Sequence, residues 1–202
     1  MKKTTSELVS IINEGKVKAF VSYLNAKGEI NETVKKAVFK SKHVGIIKAY
    51  VNRVFPAGSE FYKHQDLVAM YGDRKTLATY YLYHSLDEVG QIALIKRGDF
   101  SKFSYFVGRR PKLTEKAFEF LVKHGKPRLI KYYLENCMEK DQIVVFAKFG
   151  SVKYLKYFAK IAMPTELEVL AKAINSTATA ELKDEIANEC KELRFWLLVS
   201  ED

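Results

Sequence analysis

Four lysines, Lys40, Lys96, Lys123 and Lys148, each stand two residues before a marker position that recurs along the chain. Four more cations, Lys18, Lys75, Arg128 and Lys153, each stand three residues after one. Rows of ammonium and guanidinium groups at constant spacing do electrostatic chemistry: they recognise phosphates or carboxylates laid across them. Nothing comparable points to catalysis. The sequence has no phosphate cradle G-x-x-x-x-G-K-[ST], no nucleophile elbow G-x-S-x-G and no zinc motif H-E-x-x-H. His43, His64, His84 and His124 are scattered, and Asp87 and Glu88 fall at an apparent helix start, where acidic residues are expected. Cys137 and Cys190 lie far apart with no C-x-x-C spacing, which reads as two reduced thiols rather than a disulfide or zinc site. A non-enzymatic binding protein without cofactor or metal is the expectation.

The elements that position these cations follow from the marker itself. With markers at Gly15, Lys42, Gly72, Gly98, Gly125 and Gly150, the intervals are 27, 30, 26, 27 and 25 residues, a period with the small elasticity that loop insertions produce. Four residues before each marker stand Ile11, Val38, Val68, Leu94, Leu121 and Phe146, and three before stand Ile12, Phe39, Ala69, Ile95, Val122 and Ala147. Five after come Phe20, Ile47, Leu77, Phe103, Ile130 and Leu155, and eight after come Tyr23, Tyr50, Tyr80, Phe106, Tyr133 and Phe158. Apolar residues three and four apart share one face of a helix, so each repeat reads as two amphipathic helices joined at the marker.

A glycine there suits a helix that ends in the left-handed conformation. Asp73 and Asp99 follow two of these glycines and are expected to cap the next helix, Ser6 to cap the first, and Pro127 to open a second helix. Pro111 and Pro164 fall between hairpins.

Leu121, Val122, Gly125, Leu129, Ile130, Tyr133 and Leu134 fall on the spacing L-A-A-x-x-G-H-x-x-V-V-x-x-L-L, and His43 falls where that pattern has its histidine. In this the chain resembles ankyrin repeats. It departs from them in lacking T-P-L-H, in its shorter period, which leaves no room for a β-hairpin finger, and in bulkier first helices. The resemblance implies an all-α, ankyrin-like α-solenoid of about seven stacked helical hairpins. A generic array of helical hairpins remains the other reading.

Six hairpins are expected at roughly 4–28, 29–58, 59–85, 86–110, 111–137 and 138–162, forming one stacked body because no hairpin buries its apolar face alone. Residues 163–202 read as a degenerate acidic cap, with Asn175 as the weak marker and Leu193 to Val199 closing the last hairpin. That cap carries nine acidic and four basic residues, so the overall charge of +10 combines +15 over residues 1–162 with −5 at the end. The N-terminal apolar run, broken by Asn13, Glu14 and Lys16, makes no signal peptide, and no window approaches a membrane span. A cytoplasmic protein is expected.

The two cation rows differ in what explains them. A lysine in the last turn of a first helix complements the carbonyl end of its dipole, so the first row has a local reason. A cation in the first turn of a second helix opposes the dipole by about 0.3–1 kcal/mol, so the second row has none. Lys48, Lys131 and Lys156 extend the basic surface. A partner-binding role for the eight cations is the expectation, with three readings open: a merely solvated surface, an acidic protein partner, or nucleic acid held without sequence preference. Tyr71, Tyr83, Tyr105, Tyr132 and Tyr157 fall off the core register and are the candidates for stacking on bases or anchoring a protein contact. Oligomeric state stays open.

Overall fold

The computed structural model describes residues 3–41, 43–54, 63–109 and 112–199, with Leu82 and Tyr83 described by backbone alone. Lys42, the marker of the second repeat, and Pro111 lie outside these residues. Among the described residues the chain is all-α, without strands. Helices alternate with short turns: α1 (Thr5–Asn13), α2 (Val17–Asn25), α3 (Glu32–Lys40), α4 (Val44–Arg53), α5 (Gln65–Tyr71) and α6 (Arg74–Tyr83) come first. They are followed by α7 (Glu88–Arg97), α8 (Phe100–Val107), α9 (Glu115–His124), α10 (Pro127–Asn136), α11 (Ile143–Phe149) and α12 (Val152–Ala159). A single 3₁₀ turn, Lys140–Gln142, precedes α11. Three helices end the chain, α13 (Pro164–Thr177), α14 (Ala180–Glu189) and α15 (Lys191–Val199). No described helix is long and apolar enough to cross a membrane.

The chain divides into two compact units, Met1–Leu86 and Asp87–Asp202. In the second, first helices stack on first helices (α7 on α9, α9 on α11, α11 on α13), and second helices on second helices (α8 on α10, α10 on α12, α12 on α14). In the first unit α1 packs on α3 and α2 on α4, whereas α5 packs chiefly on α4, after the longest interval of the register. The register positions make the core: all the residues four before, three before, five after and eight after a marker are buried except Tyr23, Phe39 and Ile47, which are half-buried.

The caps explain where the helices start. Asp73 accepts from the Thr76 N–H at 2.8 Å and Asp99 from the Lys102 N–H at 3.3 Å. Pro127 opens α10, and Pro164 opens α13. The first helix is capped by Thr4, not Ser6. Thr4 Oγ1 accepts from the Glu7 N–H at 3.3 Å while Glu7 accepts from the Thr4 N–H at 2.7 Å, a reciprocal pair that only a Glu three residues on makes possible.

The marker glycines behave in two ways. Gly15 and Gly98 are left-handed, with φ of 66° and 64°. Gly72, Gly125 and Gly150 are extended, with ψ of 137°, 152° and 134°, and the left-handed expectation fails for them. Their N–H groups reach back to the carbonyl four residues earlier. A side chain on them would press on that same oxygen, with a Cβ at 2.5 Å from Val68 O, 2.4 Å from Leu121 O and 2.6 Å from Phe146 O. Crowding against backbone, rather than handedness, requires glycine there.

At the C-terminal end, Asn175 lies inside α13 rather than at a turn, and the cap is three helices instead of one closing hairpin. Leu193 and Leu197 bury α15 against α13 and α14, and Asn175 Nδ2 donates to Leu197 O at 3.0 Å.

Candidate functional site

All eight cations of the two rows are exposed. Lys40, Lys96, Lys123 and Lys148 sit in the last turns of α3, α7, α9 and α11. Lys18, Lys75, Arg128 and Lys153 sit at the second residue of α2, α6, α10 and α12. Both rows therefore flank the turn within each hairpin. Lys18, Lys40 and Lys75 belong to the first unit, and the other five to the second.

In the second unit the cations share an edge made by three turns, residues 94–103, 121–130 and 146–155. These stretches hold eight cations (Lys96, Arg97, Lys102, Lys123, Lys126, Arg128, Lys148 and Lys153) and a single carboxylate, Asp99. Asp99 is already engaged by Lys102 at 2.5 Å and Arg97 at 3.8 Å, and the Lys102 hydrogen bond holds its carboxyl below the usual range. Lys123 pairs with Glu119 at 2.6 Å. Among the described residues, Lys96, Lys126, Arg128, Lys148 and Lys153 have no carboxylate within 4.0 Å.

Most of them rest on aromatic rings instead. Lys96 Nζ lies 5.4 Å from the centre of the Phe120 ring one repeat on. Lys123 and Lys148 share Phe149, at 3.8 and 5.1 Å. The Arg128 guanidinium stands 3.9 Å over Phe100, one repeat back, and Lys153 5.9 Å from Tyr154. An exposed cation–π contact contributes about 0.5–1 kcal/mol, enough to offset the dipole cost at Arg128. The structure thus supplies a packing reason for Arg128 that periodicity could not reveal, because the ring belongs to the neighbouring repeat. Lys126, too, escapes the register: it occupies the space above Gly98, where a Cβ would meet its Cε at 2.4 Å. Its place directly after a marker, like that of His43, was the available signal.

Between the turns of α9–α10 and α11–α12 the edge opens into a cleft of about 480 Å³. Val122, Ile130 and Phe149 give it apolar walls, Lys123 and Lys148 make it basic, and among the described residues no carboxylate lines it. The tyrosines expected to stack are occupied. Tyr105 is half-buried under Arg109 at 4.6 Å, Tyr132 packs edge-on to Phe100 at 5.3 Å, and Tyr157 lies beneath Lys131 at 4.6 Å while donating to Glu135. Tyr71 is half-buried, and the Tyr83 side chain lies outside the described residues.

Elsewhere the titratable groups are dispersed. His43 and His124 fall in separate hairpins while His64 and His84 flank the two ends of the α5–α6 hairpin, and among the described residues no group of three His, Cys, Asp or Glu is arranged to hold a metal. Cys137 and Cys190 are free and buried, and burial pushes the Cys137 thiol up to about 11. Compared with known protein families, characterised proteins and solved structures, the chain matches none.

Proposed function

We propose that the chain is a non-enzymatic scaffold, an irregular ankyrin-like array of helical hairpins, whose basic turn edge docks an acidic protein surface. One observation carries the reading: five cations without a carboxylate partner lie on three turns of the second unit whose own residues include one acid, Asp99, with Glu119 beside them paired to Lys123. Cations gathered this way repel one another, and a carboxylate-bearing surface relieves that repulsion while steering association. The cleft between its last two turns adds apolar walls, as a protein contact needs and a phosphate backbone does not. Nucleic acid is the competing occupant, but Tyr105, Tyr132 and Tyr157 are held in internal contacts and offer no open stacking platform. Lys18, Lys40 and Lys75 would serve as a second basic patch on the first unit.

Fluorescence anisotropy with a labelled oligoglutamate peptide, and with labelled single-stranded and duplex oligonucleotides, at about 50 and 200 mM salt separates the readings. The peptide is expected to bind, more weakly at the higher salt, and Lys148→Glu with Lys153→Glu to abolish binding while the helical circular dichroism is kept. Oligonucleotides that bind more tightly than the peptide, with a steep salt slope, would make nucleic acid the occupant. Peptide binding unchanged in the double variant would reject this edge.

A further inference from the structure

We infer that the acidic surface docked by the basic turn edge is the exposed face of α14 on a second copy of this chain. The inference rests on the reading of that edge as a docking surface and names its occupant. Glu181, Asp184, Glu185 and Glu189 are all exposed and recur three and four residues apart along α14, so they form one acidic stripe, while Ile186 turns inward. Glu189 meets Lys156 at 3.7 Å. Among the described residues, Glu181, Asp184 and Glu185 have no cation within 4.0 Å.

The stripe is costly where it stands. Like charges four apart on a helix, as at Glu181 and Glu185 and at Glu185 and Glu189, repel one another, just as Lys153 in the first turn of α12 opposes that helix's dipole. One unit thus carries two charged surfaces of opposite sign, each with members that lack an ion-pair partner: Lys148 and Lys153 on the edge, Asp184 and Glu185 on α14. A contact between copies pairs them. Next to α14, α15 exposes Phe195, Leu198 and Val199, at 62, 66 and 53 %. They expose apolar area on the helix packed against α14, a composition typical of contact surfaces. Because the two surfaces are different patches, the contact is heterologous, head to tail. The +10 charge of each copy opposes association at long range, but at about 0.15 M salt screening over about 8 Å leaves mainly the facing groups to interact.

Sedimentation velocity on the full chain tests this at about 0.15 M salt and up to about 100 μM protein, where a micromolar contact is saturated. The wild type is expected to sediment as concentration-dependent oligomers. The variant Lys148→Glu with Lys153→Glu, and the variant Asp184→Lys with Glu185→Lys, should each sediment as folded monomers by circular dichroism, and an equimolar mixture of the two should associate again. A wild type that stays monomeric, or variants that associate as it does, overturns the proposal. If the wild type is monomeric yet binds oligoglutamate through Lys148 and Lys153, only the occupant is wrong. If neither peptide nor second copy binds, the docking edge itself is wrong.

Discussion

The imidazole of His43 occupies the space that a side chain at Gly15 would need. Its Nδ1 stands 2.6 Å from the position of a Cβ there, and its Nε2 donates to the Asn13 carbonyl at 3.0 Å. A ring from the second hairpin therefore covers the left-handed turn of the first and satisfies a carbonyl at the end of α1. His43→Ala should cost about 0.5–1.5 kcal/mol through the lost hydrogen bond. Gly15→Ala should cost more, since φ of 66° strains a side chain by about 1–2 kcal/mol and the ring must also move. In a urea-denaturation double-mutant cycle, Gly15→Ala should be milder once His43 is already Ala. Strict additivity would show that ring and glycine do not compete for this space.

The same turn shows what a single sequence displays and what it hides. The register was legible because burial at Ile12, Leu94, Phe103 or Tyr133 requires only that three- and four-residue spacing fall on one face. The Thr4 cap is legible too, since Glu7 three residues later completes it, whereas Ser6 has no such partner in the sequence. Gly98 and Gly125 are identical in sequence but left-handed and extended in structure. What separates them lies outside the motif, in how each turn leaves its helix. Contacts between repeats were hidden for a related reason. Lys123 meets Phe149 and Arg128 meets Phe100 only because α9 stacks on α11, and α10 on α8, at a particular offset, which no spacing within one repeat encodes. The basic edge was visible as two rows, but the lack of carboxylates that makes it a single surface emerges only when three turns are brought together.

Arg128 and Lys153 hold equivalent places in α10 and α12, yet their replacements should act differently. Lys153→Glu puts an anion at the positive end of the helix dipole and gives up only a distant contact with Tyr154, so it should raise stability by about 0.3–1 kcal/mol. Arg128→Glu gains the same dipole term but loses the stacking on Phe100, worth about 0.5–1 kcal/mol, and should be close to neutral. Thermal denaturation of the two variants measures the difference. Equal gains would mean that Arg128 draws nothing from Phe100.

Tyr133 fills a core position of the register, but its hydroxyl ties the loop before α9 to the turn before α11. It accepts from the Leu113 N–H at 2.9 Å and donates to Gln142 Oε1 at 3.1 Å, while Gln142 Nε2 donates to Leu113 O at 3.1 Å. Tyr133 and Gln142 are buried, so Tyr133→Phe strands the Leu113 N–H away from water, while Gln142 Oε1 keeps the Glu139 N–H at 3.3 Å, and should cost about 1–3 kcal/mol. Burial also raises the phenol above its ordinary pKa, outweighing the hydrogen bonds that lower it. A raised folded pKa means that the contribution is complete below the unfolded value of about 10 and is lost as pH climbs from there toward the folded one. The stability gap between wild type and Tyr133→Phe should accordingly be constant from neutral pH to about 9 and shrink above about 10. Denaturant titrations across that range check the sign, and a gap that widens in alkali would place the ionised phenol, not the neutral one, in this network.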